Sequence, residues 1–207
     1  MFVLLPVVLH FAADVPRRSL LKEGLSVLTV LALVAVFAQF FLARSLPIVL
    51  RLFRAPAVQR VHRVVGYIAI ALLAVHPFLI VLPRYFEAGV RPLDALLTML
   101  TDFESLGVVL GLVAWALMVL LGAAAYWRMW LIRRHGIRYR AWRYLHGGIA
   151  IGFVVIGLWH AIELGRHTGL LLGGFLAMLA AVGIAVLLRL YLSERSRLAR
   201  FVQGVSS

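Results

Sequence analysis

The sequence contains no cysteine in its 207 residues. This absence excludes disulfides, thiolate metal ligands, iron–sulfur clusters and the covalent attachment of a c-type heme. Any bound metal therefore has to rely on histidine, methionine or carboxylate. Acidic residues are scarce as well, since eight Asp and Glu face 21 Lys and Arg. The apolar stretches hold few carboxylates that could act as relays, which argues against a proton or ion channel.

Apolar residues are abundant instead. The chain is 64% hydrophobic and has a mean hydropathy of +1.01. Apolar runs of about 20 residues are typical of transmembrane helices. We predict an all-α, multi-pass membrane bundle of five to six helices that forms a single domain over residues 1–207. The predicted spans are 24–43, 63–83, 105–125, 141–162 and 168–189.

Residues 1–13 form a further apolar stretch. It is too short to cross a hydrocarbon core of about 30 Å as a helix. It lacks a basic start, and the residues up to Ala13 do not fit the usual cleavage pattern, so we do not expect a cleaved signal peptide. We expect either a shortened first span or the end of a helix that begins before this sequence.

Charge divides the loops into two groups. Fifteen arginines and one acid lie in residues 44–63, 126–143 and 189–207. Six basic and seven acidic residues lie in residues 14–23, 84–104 and 163–167. The positive-inside rule predicts that the arginine-rich group and the C-terminus are cytoplasmic in a plasma (inner) membrane. The same rule explains the net charge of +13 better than nucleic acid does, so we expect the lipid bilayer and no nucleic acid as a partner.

Four histidines within the apolar stretches occur at two equal spacings. His62 and His76 lie 14 residues apart in one predicted helix, and His146 and His160 lie 14 apart in another. Fourteen helical residues rise about 21 Å and make nearly four turns, so both members of a pair face almost the same direction. Both helices run outward from the cytoplasm, which places His62 level with His146 and His76 level with His160. Two imidazoles at each of two depths predict two b-type hemes with bis-histidine ligation, which suits electron transfer.

Other residues near these histidines allow two explanations each. Gly66 follows His62 by one turn and could admit a flat macrocycle, although helix packing uses glycine equally. Phe153 lies seven residues from His146 and from His160, so it is predicted to project between the hemes, with ordinary core packing as the alternative. Nearby arginines could pair with heme propionates or simply fix the topology. They are Arg63 and Arg143 at the inner level and Arg84 and Arg166 at the outer level.

The other three histidines carry weaker expectations. We interpret His10 as structural or interfacial and His135 as solvated in an arginine-rich loop. We interpret His167 as a loop residue, with help in positioning an acceptor as the alternative. His76-Pro77-Phe78 matches a flavin-binding triplet, but it lies in a predicted span without strands, and no Gly-rich dinucleotide motif follows a strand.

Two segments carry a resemblance to a known family. HRVVGYIAIALLAVHP, residues 62–77, and WRYLHGGIAIGFVVIGLWHAIE, residues 142–163, resemble the heme-bearing helices of the ferric reductase-like transmembrane domain. NADPH oxidases and ferric-chelate reductases belong to that superfamily. The resemblance implies that His62 and His146 ligate the iron of an inner heme, and that His76 and His160 ligate the iron of an outer heme. It also implies that FAD and NAD(P)H bind a cytoplasmic reductase domain or partner subunit rather than this chain.

The sequence thus predicts a membrane oxidoreductase module. Electrons from a cytoplasmic flavin/NAD(P)H donor pass through two b-type hemes to an external acceptor such as ferric iron or dioxygen. One alternative is a heme-binding membrane subunit that passes quinol or flavin electrons to a periplasmic reductase of the methionine-sulfoxide type. That group lacks a histidine at the position of His62, which favours the first prediction. An alternative of another class is a heme-free structural or transport membrane protein.

Overall fold

The computed structural model describes residues 2–43, 47–86, 89 and 91–205, and for residues 47 and 194–205 it describes the backbone alone. Positions 1, 44–46, 87, 88, 90, 206 and 207 of the predicted loops and termini lie outside the described residues. Within the described residues the chain is helical and has no β-strand. The helices are α1 (Leu4–Phe11), α2 (Leu20–Leu42), α3 (Pro47–Leu52), α4 (Ala55–Val81), α5 (Pro92–Thr101), α6 (Leu106–Tyr126), α7 (Arg128–Arg134), α8 (Tyr139–Leu164) and α9 (Leu170–Val205), with a 3₁₀ helix at Leu82–Phe86.

Five of the described helices are long and apolar enough to cross a membrane. They are α2, α4 with its 3₁₀ extension, α6, α8 and the Leu170–Ser193 part of α9. The predicted all-α bundle with five long spans is confirmed. Two helices extend past the predicted limits, since α4 begins at Ala55 and α9 continues to Val205. An apolar run marks the hydrocarbon thickness, whereas a helix continues into the polar region as long as its backbone remains hydrogen-bonded.

Local sequence explains where these helices begin. Pro56 lies in the first turn of α4, where the missing N–H of proline costs nothing, and Arg54 before it is extended. The Ser19 Oγ accepts from the Lys22 backbone N–H at 3.5 Å, and the Ser105 Oγ accepts from the Val108 N–H at 3.4 Å. These caps satisfy donors that the first turns of α2 and α6 would otherwise leave unpaired.

The first helix is short. α1 spans eight residues, from Leu4 to Phe11, and packs against α2 and α9 with Pro6 and His10 buried. Its length matches the prediction that residues 1–13 cannot cross a bilayer as a helix.

The long helices pack in a closed order. α2 packs on α4, α4 on α6, α6 on α8, α8 on α9, and α9 returns to α2. Side chains from all five of these helices form the buried core, including Phe37, Ala69, Met118, Val154 and Leu176. The two histidine-bearing helices, α4 and α8, are not consecutive in this order. They are therefore held by their neighbours rather than by extensive packing on each other.

Candidate functional site

His76 and His160 lie next to each other at one end of the bundle, which we call the His76 end. Their ring centroids are 6.5 Å apart and the ring planes are inclined by 83°. A metal–imidazole bond is about 2 Å long, so two imidazoles on opposite sides of one metal ion have ring centres about 6 Å apart. The observed separation is therefore wide enough for one metal ion to be held between the two rings.

The neighbours of these two rings fix which nitrogen is protonated. Thr29 Oγ1 donates its single proton to the Leu25 carbonyl at 2.9 Å and lies 3.2 Å from His76 Nδ1. Both contacts are satisfied together when the threonine oxygen accepts from His76, so this arrangement favours a proton on His76 Nδ1. His160 Nδ1 lies 2.7 Å from the Gly107 carbonyl, which can only accept. In both rings Nε2 is left with the lone pair that binds a metal.

Glycine on α6 makes room for His160. A Cβ atom at Gly111 would lie 2.6 Å from Cε1 of the His160 ring, closer than a side chain can approach. A Cβ atom at Gly107 would lie 2.5 Å from the Leu164 side chain. Sequence reasoning missed both glycines and Thr29. The four-residue spacing of Gly107 and Gly111 was an available signal, because small residues at that spacing allow close helix approach.

His62 and His146 form the second pair, at the opposite His62 end. His62 lies among the neighbours of His146. The Nδ1 atoms of both rings are buried and have no hydrogen-bond partner among the described residues. The backbone of Gln39 lies beside His62 without meeting the geometry of a hydrogen bond. A buried polar atom without a partner costs about 1–3 kcal/mol, so this end has unused polar capacity.

Three side chains surround the His62 end. The Trp142 ring stacks on His146, with centroids 5.1 Å apart and planes inclined by 22°. The Arg128 guanidinium lies 5.5 Å from the Trp142 ring. The Gln39 Nε2 donates to the Ala35 carbonyl at 3.0 Å, while its Oε1 is buried without a partner. His146 is thus positioned by aromatic stacking rather than by a hydrogen bond to its Nδ1 atom.

The predicted supporting residues have different surroundings. Phe153 is buried in the core, and its ring lies 3.6 Å from a Cβ placed on Gly157. A Cβ at Gly66 would lie 3.7 Å from the Gln39 side chain, so this glycine adjoins α2. Arg63 is exposed, and the Arg143 carbonyl accepts from the Tyr191 hydroxyl at 2.9 Å. The Arg143 guanidinium lies 5.8 Å from the centre of the Tyr191 ring. The pairing of Arg63 and Arg143 with propionates stays a prediction.

The outer arginines and remaining histidines are also placed. Arg84 is exposed, whereas Arg166 donates to the Pro16 carbonyl at 3.0 Å. His135 is exposed, as predicted, with its ring 4.4 Å from that of Trp130. His10 and His167 are both buried, and His167 lies in the connection between α8 and α9. Burial is the main cause that lowers the pKa of His10, and the neighbouring His167 lowers it further.

Comparisons with known proteins found a family and a relative that are similar to this chain. The sequence model of the family described as "Ferric reductase like transmembrane component" matches residues 28–157, which include His62, His76 and His146. An uncharacterized protein of Archaeoglobus fulgidus is 33% identical over 170 residues, which cover 82% of this chain and 90% of that protein. No solved structure matches the chain.

Proposed function

This chain belongs to the ferric reductase-like transmembrane family, and we propose that it is a membrane cytochrome b that carries electrons across the bilayer. His76 and His160 would hold the iron of one b-type heme, and His62 and His146 would hold the iron of a second. The observation that carries this proposal is the His76 end, where two imidazoles lie 6.5 Å apart and the Nδ1 atom of each contacts an oxygen of a neighbouring helix.

The spacing along α4 and α8 supports two carriers at two depths. Each helix places its histidines 14 residues apart, which corresponds to about 21 Å of helical rise. Bound heme supplies one-electron redox chemistry, and bis-imidazole ligation leaves no open position on the iron. Under this proposal the acceptor is reduced without binding to the metal.

Residues of the chain orient the rings of His76 and His160 and exclude water from the core. Thr29 and Gly107 hold the Nδ1 protons of His76 and His160, which fixes the ring orientation and raises the basicity of Nε2. Gly111 provides the space that the His160 ring occupies. Phe153 lies between the two levels of α8 within the buried core, where its ring excludes water.

Charge suggests the direction of electron flow. The arginine-rich loops 44–63 and 126–143 would face the cytoplasm in a plasma (inner) membrane and bind an acidic flavin/NAD(P)H reductase domain or subunit. Anionic lipid headgroups would occupy the same surface. The C-terminus would be cytoplasmic, and the His76 end would face an external acceptor such as ferric iron or dioxygen.

A difference spectrum tests the proposal directly. The chain is expressed with heme supplied, purified in detergent, and its dithionite-reduced minus oxidised spectrum is recorded together with heme content. We expect sharp b-type bands and about two hemes per chain, because two histidine pairs are available. A purified, folded chain that contains no heme would overturn the proposal and would favour a structural or transport role.

A further inference from the structure

A second cluster of potential ligands lies near the His76 end, outside both histidine pairs. It consists of His10 on α1, Glu23 in the first turn of α2, and His167 in the connection between α8 and α9. The three residues are 1%, 6% and 4% exposed, respectively. Charged and polar residues are seldom buried this deeply unless they are paired or bind a metal. Three separate segments of the chain bring these groups together, and their burial therefore calls for pairing or for a bound metal ion.

The distances in this cluster suit one metal ion. Glu23 Oε2 lies 3.4 Å from His10 Nε2 and 3.2 Å from His167 Nε2. Metal bonds of about 2.0–2.1 Å in a tetrahedral site give neighbouring ligand atoms a separation of about 3.3–3.4 Å. The three candidate ligand atoms all lie within 4.8 Å of one another. The two imidazole rings are stacked with centroids 3.9 Å apart and planes inclined by 28°, so they would have to spread apart to direct both lone pairs at one ion.

The second oxygen of Glu23 is already engaged. Oε1 accepts from the Arg18 backbone N–H at 3.1 Å and lies 3.5 Å from Arg18 Nε. This leaves Oε2 directed at the histidines as a single ligand atom. The Arg18 guanidinium also balances the carboxylate charge, so the cluster carries no excess negative charge that would attract hard cations such as Ca²⁺.

The histidine nitrogens retain unused binding capacity. Nε2 of His167, one of the proposed ligand atoms, is buried without a hydrogen bond of good geometry among the described residues. Two other arginines nearby donate to backbone carbonyls. Arg17 donates to the Phe11 carbonyl at 3.1 Å, and Arg166 donates to the Pro16 carbonyl at 3.0 Å. Buried polar atoms in folded proteins normally find a partner, so Nε2 of His167 points to a ligand that the protein itself does not supply.

We propose that His10, Glu23 and His167 form a third metal site that binds one divalent first-row transition-metal ion, with Zn²⁺ as the probe. Two imidazoles and one carboxylate are a ligand set that Zn²⁺ and Fe²⁺ use, with a fourth position open to water. The ion would tie α1 and the α8–α9 connection to the start of α2. Glu23 precedes Thr29 by six residues, so the site lies about 9 Å along α2 beyond the contact with His76.

Zinc content tests this site independently of the heme proposal. The purified holoprotein is treated with chelator, incubated with excess Zn²⁺, desalted, and analysed for zinc by mass spectrometry and for heme by absorbance. Wild type and the surface control His135→Ala should retain about one zinc per chain. Glu23→Gln, which keeps the side-chain shape, should lose more than about tenfold of the zinc affinity while its heme content stays unchanged.

A second variant guards against a folding defect. If Glu23→Gln fails to yield a monodisperse protein, His167→Gln is measured in the same way, because it removes a ligand from a loop rather than from a spanning helix. Zn²⁺ should also raise the Tm of wild type and of His135→Ala but not that of the ligand variants. Substoichiometric zinc in wild type, or wild-type zinc retention in the ligand variants, would overturn the site. Because zinc and heme are measured on the same sample, the two proposals can fail separately. A wild-type protein that holds heme but no zinc would overturn this site alone, and one that holds zinc but no heme would overturn the proposed function alone.

Discussion

The two histidine pairs share one spacing and one pair of helices, yet their surroundings differ. At the His76 end, Thr29 and Gly107 accept from the Nδ1 atoms of both rings. At the His62 end, the Nδ1 atoms of both rings are buried without a hydrogen bond. Helical periodicity thus sets where the imidazoles lie, whereas neighbouring helices decide which nitrogen is ready to bind. We infer that the His76 end is preorganised for its iron, while the His62 end gains its remaining polar contacts only on binding.

Removing a ligand from each end in turn should have the largest effect. We expect His160→Ala to lose the heme of the His76 end and His146→Ala to lose the heme of the His62 end, each leaving about one heme per chain. Heme quantification against protein measures this, with His135→Ala as the control. Two hemes per chain in His160→Ala would show that His160 is not an axial ligand.

A methyl group at Gly111 should disturb the His76 end alone. Its Cβ would lie 2.6 Å from the His160 ring, which would have to leave its contact with the Gly107 carbonyl. In a His146→Ala background, where all heme belongs to the His76 end, we expect Gly111→Ala to lose most of that heme. The matched control is Gly148→Ala, because a Cβ there meets nothing within 4 Å. Equal heme loss in both glycine variants would contradict the role given to Gly111.

Thr29 offers a milder test of preorganisation. Thr29→Val keeps the side-chain shape but removes the acceptor for His76 Nδ1, so His76 is no longer held in one tautomer. Loss of such a partner typically costs about 10–100-fold in metal affinity, and we expect the lower part of that range for heme release. The measurement is the rate of heme transfer to apomyoglobin in the His146→Ala background. Thr29→Ser retains the hydroxyl and should behave as wild type, and a fast release from Thr29→Ser would assign the effect to packing instead.

The sequence predicts some of these features and leaves others open for physical reasons. The spans follow from the lengths of the apolar runs, and the position of His62 and His76 on one helix face follows from the helical period. Both features depend on residues that are close in sequence. The start of α4 at Ala55 does not follow, because Arg60 and Arg63 are polar but remain helical. Thr29 and Gly107 support histidines 47 and 53 residues away, and no local pattern indicates which helix meets which. His10, Glu23 and His167 meet only through the packing of α1 against α2 and α9.

Phe153 lies between the His62 end and the His76 end, and its substitution should have the smallest effect of the changes described. The ring is buried seven residues from each histidine of α8, so a smaller apolar residue there would lengthen the route between the two levels without touching a ligand. We choose Phe153→Leu because Phe→Ala in a core costs about 3–5 kcal/mol and would confuse stability with electron transfer. Heme content should stay unchanged while the rate between the two levels, measured by time-resolved reduction, falls a few-fold. An unchanged rate would leave Phe153 as a packing residue and would place the route along the α4 side of the bundle.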